Sequence, residues 1–174
     1  MNQTKRIAIS AMLTALGTAL LSFGAFVEVA DLTICAVASL LVVMVYIEIG
    51  SPYTWLVYLC TSLATALMFP GSPVWIEYLL VFGVWPVLKG LVERLPRPFW
   101  LPIKLVFINA VIWALFFLLE LIFKTPLFES EYLIMRIGLY LLINVSFIVY
   151  DKFISIMTRL YFLKYRERFK RFFK

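Results

Sequence analysis

Aromatic and charged side chains gather at the borders of several apolar segments in this sequence, where they could bind a small molecule. Aromatic faces stack on planar groups, carboxylates accept hydrogen bonds and a guanidinium pairs with anions. If the segments fold as antiparallel helices, these borders meet at one end of a bundle, beneath a turn that holds two further acids. Taken singly, each side chain fits an interfacial aromatic belt with solvated charges equally well. The predicted substrate-binding set is Glu28, Asp31, Trp75, Glu77, Tyr78, Glu120, Tyr132 and Arg136.

Residues that carry out catalysis or bind metals are scarce. The chain has no histidine, which removes the commonest general base, zinc ligand and haem ligand. Cys35 and Cys60 lie in separate apolar runs without a Cys-x-x-Cys spacing, so we expect two buried packing residues rather than a disulfide or a metal site. No metal and no cofactor is predicted.

Two carboxylate pairs and one glycine-containing stretch are the remaining candidates for chemistry. Glu28 with Asp31, and Glu129 with Glu131, lie in short polar turns where solvation explains them. The stretch VLKGLVERL lacks the glycines and the Ser or Thr of a phosphate-binding loop, so we expect no ATP hydrolysis by this chain. The prediction is that the protein is not an enzyme.

The composition indicates a membrane protein. Of 174 residues, 64% are hydrophobic and only 15% are charged, which is too apolar for the surface of a water-soluble globule. The net charge of +6 comes mostly from the C-terminal tail beside an apolar segment, and this position favours anionic lipid headgroups over nucleic acid. The lipid bilayer is therefore a predicted partner, and nucleic acid is not.

Six apolar segments are long enough to span a bilayer as helices, which takes about 20 residues. Breaks rich in Gly or Pro separate several of them, and no linker is long enough to suggest a second globular domain. The prediction is an all-α integral membrane bundle of six transmembrane helices over residues 1–157, followed by a basic aromatic tail over 158–174. The predicted segments are 7–26, 32–49, 53–69, 75–91, 99–123 and 133–157.

The distribution of basic residues predicts the orientation. With a cytoplasmic N-terminus, the inner side receives nearly all of the Lys and Arg residues, including the whole tail, while the outer side receives only Lys124 and Arg136. Six spans with both termini cytoplasmic satisfy this bias. A cleaved signal peptide is the competing interpretation of the first segment, but its length and the lack of a small-x-small cleavage site favour a retained helix.

Several polar residues interrupt the apolar segments. Glu48, Lys89 and Lys104 map near cytoplasmic helix ends, where snorkelling to the interface or mutual pairing requires little energy. Asn109 and Asn144 lie deeper, and amides of this kind bond across helices as packing contacts. We therefore assign these residues to structure rather than to ligand binding.

Pro86 lies inside the fourth segment. Proline lacks a backbone donor and clashes with the carbonyl four residues earlier, that of Phe82, so a kink is expected there. Because proline kinks are common in membrane helices, this kink either shapes a cavity or is purely structural.

The first segment carries a row of small residues. Ala11, Ala15 and Ala19 are four residues apart, so they share one face of a helix and leave it nearly flat. In lipid, helices associate mainly through close packing, and such a face lets two backbones approach. It could pack against this protein's own helices or dock another membrane subunit, and both interpretations stay open.

The N-terminal stretch TKRIAISAMLTALGTALL, with two basic residues before the alanine row, resembles the first helix of the substrate-binding S components of energy-coupling factor transporters. Length, six predicted helices and cytoplasmic ends are also similar to that family. The stretches IEIGSPYTWLVYL and LLVFGVWPVLKGLVERL resemble poorly characterised bacterial membrane proteins of the same broad group. The resemblance implies a subunit of the bacterial plasma membrane that captures a vitamin or a vitamin precursor at its outer face.

The same resemblance implies partners. In that family the alanine motif meets a transmembrane coupling subunit, which rests on two cytoplasmic ATPases. Ala11 and Ala15 would then be docking residues, and Ala19 would extend the docking face. The competing function is a non-transport membrane scaffold of an envelope-assembly complex, which would hold its partner through the same face.

Overall fold

The chain folds into helices joined by short turns. The computed structural model describes residues 2–123 and 133–166, and within these residues there is no β-strand. The predicted all-α class is therefore confirmed. The helices are α1 (Gln3–Phe26), α2 (Asp31–Glu48), α3 (Ser51–Met68), α4 (Val74–Glu77), α5 (Trp85–Val92), α6 (Trp100–Phe123) and α7 (Leu133–Leu160).

Most of these helices suit a bilayer. The α3 helix has 18 residues but is less apolar, because Ser, Thr and Tyr side chains recur along it. The protein is thus a multi-pass membrane protein with five or six spanning helices. Among the described residues, five stretches are long and apolar enough to cross a membrane: Gln3–Phe26, Asp31–Glu48, Val74–Val92, Arg97–Leu115 and Ile137–Lys164.

The bundle has two ends, which we name by an acid at each. At the Asp31 end, α1 stops and α2 begins, and the rings of Phe26 and Phe69 meet edge to face with 5.2 Å between their centroids. At the Glu48 end, α2 stops, and α5 leads through a short turn into α6. The α6 helix runs from the Glu48 end to the Asp31 end, and α7 returns.

Small residues build the inward face of α1. A Cβ atom added at Gly17 would lie 3.1 Å from Cγ2 of Thr61 on α3, and one added at Gly24 would lie 3.3 Å from Cγ2 of Ile34 on α2. Glycine therefore lets α1 approach both neighbours closely, and this approach maximises the dispersion contacts that hold membrane helices together. The buried residues of α1 are Ser10, Gly17, Leu21 and Gly24.

The fourth predicted segment is interrupted, as Pro86 predicts. Helix α4 passes into a π-helical turn over Tyr78–Phe82, in which the N–H of Gly83 donates to the carbonyl of Tyr78 at 2.7 Å. The carbonyl of Leu79 thereby loses its usual donor, Gly83, and the carbonyl of Phe82 has none because Pro86 lacks an N–H. The break thus leaves two carbonyl groups inside the bundle that need new donors.

Two tyrosine hydroxyls supply those donors. Tyr58 on α3 donates to the Leu79 carbonyl at 2.7 Å, and Tyr150 on α7 donates to the Phe82 carbonyl at 2.9 Å. A buried carbonyl without a partner is unfavourable, so each tyrosine offsets part of the cost of the break. The interruption is therefore tied to the helices on both sides of it.

Gly83 is required where the ring of Tyr58 crosses the break. A Cβ atom at position 83 would lie 2.7 Å from Cε2 of Tyr58, whose hydroxyl is already held by Leu79. We expect Gly83→Ala to lower the free energy of unfolding by about 1–3 kcal/mol through overpacking, although alanine is the better helix former. The melting temperature in detergent measures the effect. Gly71→Ala, at a position with open space around it, is the control, and equal melting of both variants would contradict the close contact.

The structure corrects the prediction for one cysteine. Cys35 is buried as expected, but Cys60 is exposed on α3. Leu56 and Leu63, one helical turn to either side of Cys60, are 56% and 61% exposed, so this face of α3 points away from the bundle. Apolar composition predicts that a segment spans the membrane, but it does not distinguish the lipid-facing side from the packed side.

The last helix also extends further than predicted. It shows no break between residues 157 and 158, since α7 ends at Leu160 and a π-helical turn over Tyr161–Tyr165 follows. The predicted boundary between the bundle and the tail is therefore not a helix end. Residues 167–174 of the predicted tail lie outside the described residues.

Candidate functional site

The Asp31 end brings together two of the predicted ligand-binding acids. The carboxylates of Glu77 on α4 and Asp31 at the start of α2 lie within electrostatic range of each other. Both also lie within electrostatic range of the Cys35 thiol. The Sγ atom of Cys35 donates to the carbonyl of Val74 at 3.8 Å and so connects α2 to α4. Asp31 Oδ1 accepts from the N–H of Leu32 at 2.5 Å. This end therefore holds two neighbouring carboxylates at the edge of an apolar bundle.

The two predicted aromatic residues of α4 and the turn after it lie in different surroundings. Tyr78 is only 1% exposed and packs beside Tyr58 in the core, with 6.4 Å between ring centroids. Trp75 is half-buried. Because two positions separate Trp75 from Glu77, their side chains leave the helix on different sides. Glu77 thus lies within electrostatic range of Asp31, and Trp75 does not share its helix face.

Two polar atoms at the Asp31 end are buried without a hydrogen-bond partner in the part of the chain that the structure describes. They are the indole Nε1 of Trp75, a donor, and Oε2 of Glu77, an acceptor. Leaving such a group unpaired costs about 1–3 kcal/mol, so each calls for a partner from outside these residues. Because the two side chains leave α4 on different sides, each atom needs a partner of its own.

The remaining predicted ligand-binding residues cannot be compared with this geometry. Tyr132 lies outside the described residues. For Glu28, Glu120 and Arg136 the backbone is helical, while the side chains lie outside what the structure describes. Their part in the site stays a prediction.

A second candidate site lies about one helical turn inside the Glu48 end. Asp151 on α7 accepts from the Nζ atoms of Lys89 on α5 and Lys104 on α6, each at 2.5 Å. The indole N–H of Trp85 donates to the same carboxylate at 3.0 Å. We call Lys89, Lys104 and Asp151 the ionic cluster, and it joins three helices.

The ionic cluster is buried, and its lysine on α5 is fully hydrogen-bonded. The side chains of Lys89 and Asp151 are 6% and 8% exposed, and that of Lys104 is 17% exposed. Lys89 also donates to the backbone carbonyl of Asp151 at 2.9 Å and to Oγ of Ser155 at 2.8 Å, so each of its three protons has an acceptor. A charge within a bilayer costs about 2.5–3.5 kcal/mol on insertion scales, and this pairing offsets the cost.

An aromatic layer separates the ionic cluster from the Asp31 end. It consists of Trp85, Phe107 and Phe147, each about one helical turn from a member of the cluster on its own helix. The centroid of the Trp85 ring lies 4.8 Å from that of Phe107 and 4.8 Å from that of Phe147. On the other side of the cluster, the 40% exposed side chain of Glu93 lies 3.4 Å from Nζ of Lys89. The cluster is thus closed toward one end and bordered by an accessible carboxylate toward the other.

Sequence reasoning found the two lysines of this cluster but missed its acid. Lys89 and Lys104 each form an ion pair with Asp151, and neither pairs with Glu48. The available signal was that Asp151 is the only acidic residue between positions 133 and 157. Glu48 instead accepts from the hydroxyl of Tyr161 at 3.2 Å and pairs with Nε of Arg166 at 3.3 Å, which fastens the end of α7 to α2.

The two asparagines behave differently from each other. Asn109 on α6 accepts a hydrogen bond from the hydroxyl of Tyr140 on α7, as predicted for a contact between helices. Asn144 donates to the carbonyl of Tyr140 on its own helix at 3.0 Å. One amide therefore links α6 to α7, and the other bonds within α7.

The alanine row lies on the outside of the bundle. Ala11, Ala15 and Ala19 are exposed, on the side of α1 opposite to its buried residues. The bundle's own helices pack against the glycine-containing side instead. Exposed apolar side chains border the alanines, namely Ile7, Met12, Leu16 and Phe23. We call the three alanines the alanine face.

Within residues 2–123 and 133–166, no group of three Cys, Asp or Glu side chains is placed to hold a metal ion. Comparisons with protein-family models, with curated proteins and with solved structures each find no match to this chain.

Proposed function

We propose that this chain is the membrane-embedded substrate-capture subunit of an energy-coupling factor type importer in a bacterial plasma membrane. Six helices span the bilayer, and both termini are cytoplasmic. The alanine face of α1 docks on a transmembrane coupling subunit, whose cytoplasmic ATPases supply the energy. A small molecule, a vitamin or a vitamin precursor, is captured at the Asp31 end.

The exposure of the alanine face carries this proposal. A face used for packing within the bundle would be buried, as Gly17 and Gly24 are, whereas Ala11, Ala15 and Ala19 are exposed along more than two turns of α1. Lipid contact alone does not favour alanine over leucine, because leucine buries more apolar surface per residue. Close approach of a second helix does favour alanine.

Charge supports the orientation. The exposed residues Arg94 and Arg97 lie at the Glu48 end, as does the end of α7 with Arg159 and Lys164. Basic residues concentrate on the cytoplasmic side of membrane proteins, so the Glu48 end faces the cytoplasm and the Asp31 end faces outward. The unpartnered atoms of Trp75 and Glu77 then lie at the outer end, where a substrate arrives.

Ligand retention tests the capture site. We expect Glu77→Gln or Arg136→Ala to abolish retention of a co-purifying small molecule, because each removes a charged group that would bind it. Native mass spectrometry of the detergent-solubilised protein measures the bound mass. Glu93→Gln, at the opposite end of the bundle, is the control. If a ligand is found and neither variant weakens its binding by more than about twofold, the proposed site is wrong.

Affinity purification in mild detergent tests the assignment of function. Recovery of a transmembrane coupling subunit together with ATPases supports the importer. Recovery of envelope-assembly proteins without ATPases supports instead the membrane scaffold, which would use the same exposed face.

A further inference from the structure

We propose that one anionic phospholipid binds at the junction of α6 and α7 near the Glu48 end, with its headgroup phosphate paired to Lys104 of the ionic cluster. This is a single defined site, distinct from the general attraction of basic residues to a charged membrane surface. It concerns a lipid bound to this chain alone, so it holds or fails independently of the importer function.

Lys104 is the lysine of the ionic cluster whose charge is less completely balanced. Asp151 divides one negative charge between two ammonium groups, because its Oδ1 lies 2.5 Å from Nζ of Lys89 and its Oδ2 lies 2.5 Å from Nζ of Lys104. Lys89 has a second acid, Glu93, at 3.4 Å. Among the described residues, Lys104 has no second acid within ion-pairing distance. Its positive charge is therefore only partly balanced by its described neighbours.

The hydrogen bonds of Lys104 are also incomplete. An ammonium group has three N–H donors. All three of Lys89 have acceptors, whereas in the described part of the chain Nζ of Lys104 donates only to the carboxylate of Asp151. The ring of Trp100 lies beside it, with 6.0 Å between Nζ and the ring centroid, and offers a π face rather than an acceptor oxygen. Because the Lys104 side chain is only 17% exposed, water reaches it poorly, and two donors are left for acceptor oxygens from outside these residues.

The exposed charges around this junction favour a headgroup with a net negative charge. Arg94 and Arg97 are exposed in the turn that leads into α6, and Lys152 is exposed on α7. The exposed acid nearby, Glu93, already pairs with Lys89. A zwitterionic headgroup would bring its own ammonium group toward these cations, whereas the headgroup of phosphatidylglycerol brings none. Basic pockets between membrane helices on the cytoplasmic side bind anionic headgroups in this way.

A lipid fits this position better than a free anion does, because apolar surface continues from the junction toward the membrane interior. On the side of the Asp31 end, Val106 on α6 is 70% exposed, and Ile148 and Val149 on α7 are 37% and 62% exposed. A phospholipid offers a phosphate for Lys104 and acyl chains for these side chains in one molecule, and both contributions add to its binding. Inorganic phosphate offers only the first of them.

Native mass spectrometry of the delipidated full chain in detergent tests the site by titration with phosphatidylglycerol and, separately, with phosphatidylcholine. We expect the wild type to bind the first phosphatidylglycerol at least about tenfold more tightly than phosphatidylcholine. Equal affinities would overturn the site. This comparison needs no variant, so it decides the question even where a substitution prevents folding.

Two lysine variants locate the lipid. Lys104→Met removes the ammonium group but leaves Asp151 paired with Lys89, so no buried charge loses its only partner and the bundle should fold. It should weaken phosphatidylglycerol binding by at least about tenfold. Lys164→Met removes the same charge from an exposed position after α7 and is the matched control, with an expected change of no more than about twofold. Wild-type affinity in Lys104→Met would contradict the site.

The melting temperature in detergent, measured with and without added ligand, gives an independent readout. Phosphatidylglycerol should raise the melting temperature of the wild type and of Lys164→Met, because a ligand of the folded state stabilises it, and should leave that of Lys104→Met unchanged. An equal rise in all three proteins would place the lipid elsewhere. Inorganic phosphate should not displace the lipid, and displacement at equal concentration would assign the junction to a free anion and overturn the lipid site.

Discussion

Asp151→Leu should lower the free energy of unfolding by about 3–5 kcal/mol, because it leaves two buried ammonium groups without their shared carboxylate. Lys89, with a side chain only 6% exposed, would keep Ser155 and the backbone carbonyl of residue 151 as acceptors but would lose its counter-charge. Trp85 would also lose the acceptor of its indole N–H. Three helices would lose their common polar contact in one substitution.

Thermal unfolding in detergent measures this effect, and three further variants apportion it. Asp151→Asn keeps an oxygen acceptor for Trp85 but removes the charge, so it should fall between the wild type and Asp151→Leu. Glu93→Gln removes the ion pair between Lys89 and Glu93, whose own side chain is 40% exposed. Ion pairs with such exposed members contribute about 0–1 kcal/mol to the free energy of unfolding. The triple variant Lys89→Met, Lys104→Met, Asp151→Leu should recover most of the loss, because no buried charge is left unpaired. If Asp151→Leu and Glu93→Gln have the same melting temperature, the ionic cluster does not stabilise the bundle.

The helices were largely predictable from the sequence. Apolar runs and Gly or Pro breaks place the end of α1 at Phe26, as predicted, and the ends of α2 at Glu48 and of α3 at Met68, each within one residue of the prediction. Pro86 likewise predicts the helix interruption after α4, because proline lacks a backbone N–H wherever it occurs. What a local pattern could not show is that Tyr58 and Tyr150 would supply the replacement donors from other helices.

The sites were predictable only in part, because side-chain partners depend on packing between distant segments. Asp31 and Glu77 were expected at one end of the bundle and lie there within electrostatic range of each other, since a short turn on each side brings their helix ends together. Asp151 was missed because its partners are 62 and 47 positions away in sequence. The outward face of Cys60 was missed because hydropathy along a spanning helix is nearly the same on both sides.

Ala15→Leu should reduce recovery of a docked membrane partner by at least about tenfold, which corresponds to roughly 1.4 kcal/mol of binding free energy. The larger side chain would push a docked helix outward and remove dispersion contacts and weak Cα hydrogen bonds across the seam. Because Ala15 is exposed, leucine there does not overfill the buried core and should leave the melting temperature of the protein alone unchanged. Ala11→Leu, one turn away on the same face, should behave in the same way.

A matched control separates docking from a general effect of bulk at a lipid-facing surface. Ala110 is exposed on α6, so Ala110→Leu makes the same chemical change on a different side of the protein. It should leave both the melting temperature and partner recovery as in the wild type. An early-melting Ala15→Leu protein, measured without any partner, would show that the alanine face packs within the chain.

The measurement that tests the docking claim most directly is the amount of coupling subunit and ATPase that co-purifies with the tagged chain, compared among wild type, Ala15→Leu and Ala110→Leu at equal expression. Docking through the alanine face predicts that the partner is recovered with wild type and with Ala110→Leu. It predicts that the partner is lost with Ala15→Leu. Equal recovery with all three proteins would contradict docking through this face.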